Sequence, residues 1–498
     1  MPQTAAERTV LAQLLAVRPE SADAYTAALP GARAAVLGRL WRGLVYEPLS
    51  WVARREGGVL ELADGRRLVG PPCDPYAVPG AGSSAGGAPA LTLDGVRLRH
   101  PGELARALGF AAFARELDGS AASLALSRAA APPAGAGRPD GGAWAWEQAV
   151  VDGHPYHPCC RHRPGFGVAE ELAYAPEHRP LVRLALAPVM RTRARVSGEW
   201  PAELRDGRRL LIPVHPWQAA HVLTRTALTD GFDAHPLMAL RTLAPAHSPR
   251  LHVKTALSAR LTSSVRDIST GSIDSAAAVS ALVADLAARL GGLLHVTRNL
   301  GAASAGRPEL AAVVREAPEV YADAAAGEYV VPLAALAPQP PDRVAELARL
   351  ALPVCLRLLG LGVALEAHGQ NLLAVLGPDG RPRRLVYRDL ADIRVSPARL
   401  ARHGLTAPVL PARMLTDDPA ALRRKLFGSL VAGALGPLAG SREVLRTALA
   451  AATAGLEPGA DLTALRTRPL PVKALTLMRL DAGGAGGDRW TELPGPFG

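Results

Sequence analysis

The sequence predicts an α+β fold in which helices and sheets are partly segregated, and three observations support this prediction. Stretches with helical apolar spacing, such as ERTVLAQLLAV, occur near the start and again after residue 340. Short strand-like pieces, such as LHVKTAL at 251–257, lie between them. Two segments rich in Pro and Gly, 129–143 and 337–342, interrupt these patterns. The chain is therefore expected to form three parts: 1–142, 143–336 and 337–498.

The composition indicates a globular protein with more than one core. The chain has 498 residues, of which 49% are hydrophobic and 20% are charged. Four cysteines in this length do not form a disulfide framework. The first residues carry no signal-peptide pattern, and Pro353 and Arg357 interrupt the most apolar stretch. We therefore expect no membrane association and a cytoplasmic location.

The charge balance favours small anions over nucleic acid as partners. The net charge is +11, but the arginines are scattered and aromatic residues make up 4% of the chain. Nucleic-acid-binding proteins usually cluster charge on one face and place stacking rings within it. We therefore expect no nucleic-acid partner. Lysine is rare, with three positions among the 56 basic residues, so each lysine is a candidate for a specific role.

The first polar cluster is GHPYHPCCRHRPGFG at 153–167. Each of its first two histidines precedes a proline, which keeps the backbone before it extended. Two imidazoles and two guanidiniums on a rigid loop are suited to an anion such as a polyphosphate, although a structural His/Pro turn is the alternative. Zinc is disfavoured because adjacent cysteines are an awkward ligand pair. The candidate residues are His154, His157, Arg161 and Arg163.

The second polar cluster lies in the segment 238–269. Arg241 closes one apolar piece, and Lys254 lies inside the predicted strand LHVKTAL. Thr262, Ser263 and Arg266 then occur together, at a turn or at the first turn of a helix. Hydroxyl groups at a helix start, together with an arginine, form a site suited to carboxylate or phosphate. The alternative is an ordinary capped helix with a solvated arginine.

The third cluster follows a long apolar helix that begins at Pro341 and is expected to end at Glu366–Gly369. The stretches LLAVLG and RLVYRD flank the turn PDGRP and predict a β-hairpin. Asn371 and Asp389 would then meet at its open end, where an amide oxygen and a carboxylate suit Mg²⁺ on a nucleotide. Protein kinases use a similar order of Asn, hairpin and Asp. A structural hairpin with a surface aspartate is the alternative.

Five motifs in this order resemble the NRPS-independent siderophore synthetases of the IucA/IucC, or aerobactin-synthetase, type. They are HPYHPCCRHRPGF, HPWQ, KTALSARLTSSVR, EAHGQN and YRD, and VKALTLMRL at 472–480 resembles the closing motif of that family. The likeness extends over about residues 150–480. It implies a cradle of thumb, fingers and palm, with ATP between fingers and palm and a kinase-like hairpin in the palm.

The resemblance also implies an activity. A carboxylic acid, often citrate, attacks Mg-ATP to give an acyl-adenylate and pyrophosphate, and an amine or alcohol then displaces AMP. It implies a homodimer as well. Two rival functions remain open: a kinase-like phosphotransferase, which the Asn–hairpin–Asp order suggests, and a non-catalytic protein that binds an anion or a siderophore.

Carried over by position, the resemblance assigns residues to four roles. Catalysis falls to Lys254, Arg266 and His368, and the carboxylate substrate to Thr262, Arg266 and His368. ATP would contact His154, His157, Arg161, Arg163, Arg241, Lys254, Ser263, Gln370 and Asn371. Magnesium would be held by Glu366, Asn371 and Asp389.

The sequence departs from the family pattern at two places. Arg161 stands where the family commonly has lysine, and Ala239 stands where it has a serine before Arg241. A phosphate contact through that serine hydroxyl is therefore not expected here.

Overall fold

The computed structural model describes residues 2–80, 90–131, 138–261, 264–481 and 487–497. Helices and antiparallel sheets are largely segregated along the chain, which confirms the predicted α+β class. Three large buried apolar clusters lie in the N-terminal, middle and C-terminal parts. In the described residues, no helix is long and apolar enough to cross a bilayer.

The N-terminal part packs helices beside a five-stranded antiparallel sheet. Thr4 caps the first helix, and its Oγ1 accepts a hydrogen bond from the Glu7 amide while the Glu7 carboxylate accepts one from the Thr4 amide. The helices are α1 (Ala5–Val17), α2 (Ala22–Tyr46), α3 (Pro101–Ala107) and α4 (Ala111–Ala129). The strands, adjacent in chain order, are β1 (Val52–Glu56), β2 (Val59–Leu62), β3 (Arg67–Val69), β4 (Leu91–Leu93) and β5 (Val96–Leu98).

The middle part is built on a nine-stranded antiparallel sheet of order β7-β16-β17-β12-β11-β10-β6-β9-β8. Its strands are β6 (Val182–Met190), β7 (Arg195–Gly198), β8 (Arg205–Asp206), β9 (Arg209–Val214), β10 (Thr229–Pro236), β11 (Thr242–Pro245), β12 (Leu251–Thr255), β16 (Asn299–Ser304) and β17 (Ala311–Glu316). A separate hairpin joins β13 (Leu257–Leu261) and β14 (Ser264–Arg266). The helices are α5 (Ala143–Gln148), α6 (Val168–Tyr174), α7 (Pro216–His221), α8 (Thr270–Asp274) and α9 (Ala276–Ala288).

The C-terminal part carries a four-stranded sheet of order β15-β21-β20-β18. Its strands β15 (Leu294–Val296) and β18 (Tyr329–Pro332) come from before residue 337, so this sheet crosses the predicted boundary at 336. The hairpin strands are β20 (Leu372–Leu376) and β21 (Pro382–Tyr387), and four short strands are β19 (Val363–Ala364), β22 (Arg394–Val395), β23 (Leu470–Lys473) and β24 (Trp490–Leu493). The helices are α10 (Leu333–Leu336), α11 (Pro341–Leu361), α12 (Pro397–Arg402), α13 (Pro419–Phe427), α14 (Gly436–Ala439), α15 (Arg442–Thr453), α16 (Ala460–Thr467) and α17 (Leu477–Leu480), and a π-helix spans Gly428–Leu435.

Two sequence-based expectations about local structure are wrong. Helix α11 ends at Leu361 and not near Gly369, because Gly362 takes a left-handed conformation with φ of 114° and caps it. Arg266 lies on strand β14 and not at a helix start. The next helix begins at Thr270, where the Ser269 hydroxyl accepts a hydrogen bond from the Ser272 amide at 3.2 Å.

Candidate active site

Strand β12 places Lys254 at the edge of a cleft between the middle and C-terminal parts. Lys254 is paired with Thr242 of β11 and Val313 of β17, and His252 is paired with Arg315. Paired residues on neighbouring strands point to the same face of a sheet, as do residues two apart on one strand. Lys254, His252 and Arg315 therefore share one face of the nine-stranded sheet.

The hairpin of β20 and β21 delivers Asp389 to the same cleft. Leu372 is paired with Tyr387, and the Arg388 amide donates to the Asn371 carbonyl at 3.0 Å, so the polar residues lie at the open end as predicted. Asp389 has φ of 70° and ψ of 80°, which is a rare conformation for a residue other than glycine. Such strain persists where the surroundings enforce it and clusters at functional sites.

Lys254 and Asp389 form an ion pair that joins the two sheets. Lys254 Nζ lies 2.7 Å from both carboxylate oxygens of Asp389. Burial lowers the pKa of Lys254 to about 8, and Asp389 opposes that shift. Burial alone would raise the pKa of Asp389, but Lys254 and Arg315 outweigh it and hold the pKa far below the usual range. The sequence-based prediction that these two residues converge is therefore confirmed.

The cleft around this pair has an excess of positive charge. Its cavity volume is about 110 Å³, and residues of both the middle and the C-terminal parts line it. Arg241 lines it and donates to the Asp267 carbonyl at 3.3 Å and to the Arg266 carbonyl. Burial and the nearby Arg266 lower the pKa of Arg241 to about 10. The charged residues of the lining are Arg241, Lys254, Arg315, Arg413, Asp267 and Asp389.

Arg266 and two histidines approach the same region from other elements. The Arg266 guanidinium donates to the Leu261 carbonyl at 2.9 Å. Burial lowers the pKa of Arg266, and Asp389 and Glu366 oppose the shift. Burial, with contributions from Arg479, Arg39 and Arg266, lowers the pKa of His157 to about 3. Arg266 therefore lies within electrostatic range of both the hairpin end and the His-rich loop.

The loop with His154 faces the loop with His368. Burial lowers the pKa of His154 strongly, and the charges of His157 and His368 add to this shift. His154 Nδ1 accepts from the Tyr156 amide at 3.2 Å, and His157 Nδ1 accepts from the Cys159 amide at 3.0 Å. In a neutral imidazole with Nδ1 as acceptor, Nε2 carries the proton. His154 can therefore present an Nε2–H donor to an anion, whereas the Nε2 atom of His157 is fully buried and has no hydrogen-bond partner among the described residues.

The other two lysines hold carboxylates of the same segment. Lys425 Nζ lies 3.3 Å from Glu366 Oε1 and 2.7 Å from Asp392 Oδ2. Lys473 Nζ lies 3.3 Å from Glu366 Oε1. All three lysines of the chain thus pair with carboxylates between residues 366 and 392.

The π-helix supports the loop that carries His368. The Ser429 hydroxyl accepts a hydrogen bond from the Ala367 amide at 2.9 Å, and the Gly369 amide donates to the Gly433 carbonyl at 3.3 Å. Segments of π-helix are rare and often occur at functional sites. Here the widened turn brings a hydroxyl and a carbonyl to a loop that belongs to neither sheet.

The remaining predicted residues have different surroundings. Gln370 and Asn371 lie beside the cleft, where the Gln370 carbonyl accepts from Arg388 at 2.8 Å and Asn371 Nδ2 donates to the Glu366 carbonyl at 3.3 Å. Thr262 and Ser263 lie outside the described residues. Arg161 and Arg163 are buried and bind Glu171 and Glu177, at distances between 2.7 and 3.1 Å. Their role in nucleotide binding stays a prediction.

Sequence reasoning missed Arg315 and the pair of Arg388 with Glu147. Arg388 donates to both carboxylate oxygens of Glu147, at 2.6 and 2.8 Å, and both side chains are buried. Arg315 and Arg388 each follow a run of apolar residues, AAVV and LVY. That pattern, which drew attention to Asp389, also marks these two arginines. Within the described ranges, no group of three or more His, Cys, Asp or Glu side chains is placed to hold a metal ion.

Two family models match this chain in succession. Residues 143–338 match the IucA / IucC family, and residues 344–483 match the model described as ferric iron reductase FhuF-like transporter. A Staphylococcus aureus protein named 2-[(L-alanin-3-ylcarbamoyl)methyl]-3-(2-aminoethylcarbamoyl)-2-hydroxypropanoate synthase is 24% identical over 27% of this chain and 28% of its own length. An uncharacterized protein of Sinorhizobium fredii is 27% identical over 49% of this chain and 50% of its own length. The matches thus span half or less of these curated relatives.

Solved structures share the fold over nearly the whole chain. The petrobactin biosynthesis protein AsbB of Bacillus anthracis has a TM-score of 0.74 at 17% identity and covers 100% of this chain and 98% of its own. The ATP-bound aerobactin synthetase IucA of Klebsiella pneumoniae has a TM-score of 0.64 at 18% identity and covers 94% of this chain and 99% of its own. Aerobactin synthetase IucC of the same organism has a TM-score of 0.65 at 17% identity and covers 85% and 89%.

Proposed function

We propose that this chain is a siderophore synthetase of the IucA/IucC type and that it acts as an ATP-dependent ligase, because residues 143–338 match the model of that family and solved synthetases share its fold. It activates a carboxylic acid, citrate or a related acid, as an acyl-adenylate and joins it to an amine or an alcohol. The products are an amide or ester, AMP and pyrophosphate. The observation that carries this proposal is the contact of Lys254 with Asp389 across a cleft lined by further arginines.

The first step joins two anions, so it needs cations at the reacting atoms. A carboxylate oxygen attacks the α-phosphorus of ATP, and the bond from that phosphorus to the pyrophosphate oxygen breaks. Lys254 would neutralise phosphate charge as a compact ammonium, and Arg266 would hold the carboxylate with two parallel hydrogen bonds. Donors fixed in a water-poor cleft stabilise such charge far better than donors in water.

Magnesium would be held by Asp389, Glu366 and Asn371. Mg²⁺ prefers oxygen ligands and is commonly bound through one or two carboxylates together with the phosphates of a nucleotide. The residues fit this role, because Asp389 and Glu366 already accept cationic ammonium groups at 2.7 and 3.3 Å. When bound, the metal supplies charge neutralisation for the phosphates.

The second step forms the amide or ester bond. The nitrogen or oxygen of the nucleophile attacks the acyl carbon, the bond to AMP breaks, and the nucleophile loses a proton. Burial lowers the pKa of His368, so its imidazole is neutral at neutral pH. His368 Nδ1 accepts from the Gln370 amide at 3.3 Å, which leaves Nε2–H as a donor. His368 is therefore suited to orient the carboxylate, and the released proton goes to solvent.

An assay of nucleotide products tests this proposal against its rivals. The protein is incubated with Mg-ATP, citrate and a diamine or an amino alcohol, and AMP, ADP and pyrophosphate are quantified. Release of AMP and pyrophosphate that depends on the acid supports the ligase. Release of ADP would support a phosphotransferase. The FhuF-like match favours a role in binding a ferric complex, and binding of such a complex without consumption of ATP would support that role.

The variant Arg266→Ala tests the site. Loss of this guanidinium should reduce acid-dependent pyrophosphate release by about 10²–10³-fold, as removal of one preorganised donor typically does. Circular dichroism should show a folded protein. Full activity of Arg266→Ala would contradict the assignment of Arg266 as the residue that holds the carboxylate substrate.

A further inference from the structure

Arg315 is a buried cation on the floor of the cleft that the proposed chemistry has not used. It lies near the end of β17, with 4% of its surface exposed, and lines the cleft beside Lys254 and Asp389. Its cross-strand neighbour is His252. Burial and the nearby charge of Arg388 lower the pKa of Arg315 to about 10, so the guanidinium stays charged at neutral pH.

Among the described residues, Arg315 has no hydrogen-bond or ion-pair partner for its guanidinium, and its Nε is fully buried. The neighbouring charges are already engaged. Asp389 accepts both hydrogen bonds of Lys254, and Glu147 is held by both arms of Arg388. His252 is fully buried, and burial together with Arg315 and Arg388 lowers its pKa strongly, so this imidazole is neutral. Arg315 is therefore a buried charge that lacks its counter-ion within the described chain.

The chemistry of the surroundings identifies the missing anion. Arg315 acts electrostatically on Arg241 and on Lys254 and lowers the pKa of each. The lining of the cleft contains four cations and two carboxylates, and this surplus of two positive charges suits a ligand with several negative charges. Arg315, Lys254 and Asp389 line the same cleft, and Arg315 and Lys254 lie on one face of the nine-stranded sheet.

We propose that Arg315 binds a terminal phosphate group of the nucleotide and holds the pyrophosphate as it leaves. This inference rests on the proposed function and adds to it a residue for the leaving group. When the bond between the α-phosphorus and the bridging oxygen breaks, that oxygen takes the electron pair and the negative charge moves onto the pyrophosphate. The guanidinium of Arg315 neutralises this charge, while Arg266 holds the carboxylate that becomes the acyl group.

Binding of inorganic pyrophosphate tests the inference without any turnover. Calorimetric titration compares pyrophosphate and citrate on the full-length wild type, Arg315→Met and Arg315→Lys. Arg315→Met should weaken pyrophosphate binding at least tenfold and leave citrate binding unchanged. Arg315→Lys keeps the charge but loses the planar fork, so it should weaken pyrophosphate binding less than Arg315→Met does.

The thermal midpoint of the ligand-free protein separates a binding role from a structural one. Removing a buried charge that has no partner relieves a desolvation penalty, so the midpoint of Arg315→Met should equal or exceed that of the wild type. Arg298→Met is the matched control for loss of one positive charge. Arg298 precedes the neighbouring strand, is 62% exposed and pairs with Glu316, so this variant should keep the pyrophosphate affinity of the wild type.

Three outcomes would overturn the inference. They are absence of pyrophosphate binding in the wild type, unchanged pyrophosphate affinity in both Arg315 variants, and a loss of affinity in Arg298→Met as large as that in Arg315→Met. These outcomes are distinct from failure of the proposed function. A chain that binds pyrophosphate through Arg315 but releases ADP would contradict the ligase and leave the role of Arg315 in place.

Discussion

Two groups of buried basic residues in this protein differ in how their charge is balanced. Arg161 and Arg163 face Glu171 and Glu177, so two positive charges meet two negative ones. In the cleft, four cations face two carboxylates: Arg241, Lys254, Arg315 and Arg413 share the lining with Asp267 and Asp389. The first group is neutral within the chain, whereas the second carries two surplus positive charges.

The difference separates structural arginines from ligand-binding ones. A buried ion group with complete partners holds segments together, and the loss of one partner leaves an uncompensated charge. A buried group with surplus positive charge lacks a counter-ion until an anionic ligand binds. The electrostatic attraction of the surplus charge therefore contributes to ligand binding. On this basis the cluster around Glu177 connects the His-rich loop to the helix after it, and the cleft around Asp389 is the place for a polyphosphate.

The largest expected effect is on stability, for the variant Glu177→Gln. Its carboxylate is fully buried, and Arg161 and Arg163 overcome the effect of burial and lower its pKa far below the usual range. Removing its charge leaves two buried guanidiniums with one carboxylate, which should cost about 3–5 kcal/mol of unfolding free energy. Urea denaturation measures this loss. Arg315→Met, which removes an unbalanced charge, is the contrasting variant. Equal destabilisation of Glu177→Gln and Arg315→Met would contradict the distinction between structural and ligand-binding cations.

The next effect is on catalysis, for the variant Lys254→Met. The loss of one cation at the phosphates should lower kcat/KM for ATP roughly 10²–10³-fold, which corresponds to about 2.7–4 kcal/mol of lost transition-state stabilisation. Stability should fall less than in Glu177→Gln, because Asp389 still faces Arg241 and Arg315. Pyrophosphate release and urea denaturation measure the two quantities. A variant that loses stability but keeps kcat/KM would place Lys254 with the structural cations.

The pH dependence of activity should also report on Lys254. Its pKa is lowered to about 8 from 10.5, so the ammonium form is lost as pH rises through about 8. In the free enzyme, kcat/KM for ATP should therefore fall about tenfold per pH unit above this value. Between pH 8 and 10.5 the unfolded state binds more protons at this residue, so its contribution to the unfolding free energy rises with pH.

The variant Lys254→Arg is the control for that profile. Arginine stays protonated throughout this range, so the alkaline fall in kcat/KM should move to higher pH. Its planar fork does not reproduce the point charge of lysine, and a lower maximum is expected. An alkaline limb at the same pH in both proteins would assign it to another group.

The parts of this site that are local in sequence could be predicted, and the parts that depend on distant partners could not. Alternating apolar residues and the turn PDGRP predict the hairpin that ends at Asp389, and the same pattern predicts the strand with Lys254. The end of α11 was missed because two glycines, Gly362 and Gly369, are both plausible stops. The helix ends at the first of these glycines, and the residues that follow it form strand β19, which pairs with β22 about 30 residues later.

The sequence alone could not predict which buried arginines are paired with carboxylates. Arg388 and its partner Glu147 are 241 residues apart. When the sequence is read alone, nothing distinguishes Arg161 and Arg163, which meet carboxylates in the fold, from Arg315, which meets none among the described residues, although Glu316 directly follows Arg315. Only the folded chain decides which guanidiniums meet carboxylates, and so which remain for a ligand.

The smallest expected effect, and a direct test of the comparison, is that of Arg161→Lys. The Arg161 guanidinium donates to Glu177 at 3.1 Å, to the Val150 carbonyl at 2.8 Å and to the Val151 carbonyl at 3.0 Å. Lysine keeps the charge near Glu177 but cannot reproduce the fork, so one or two hydrogen bonds are lost. The unfolding free energy should fall by about 1 kcal/mol. Because these donors are used within the chain, KM for ATP should not change. Urea denaturation and initial rates over a range of ATP concentrations measure both. A rise in KM for ATP with unchanged stability would instead show that Arg161 binds ATP, which is the role that the family resemblance predicts for it.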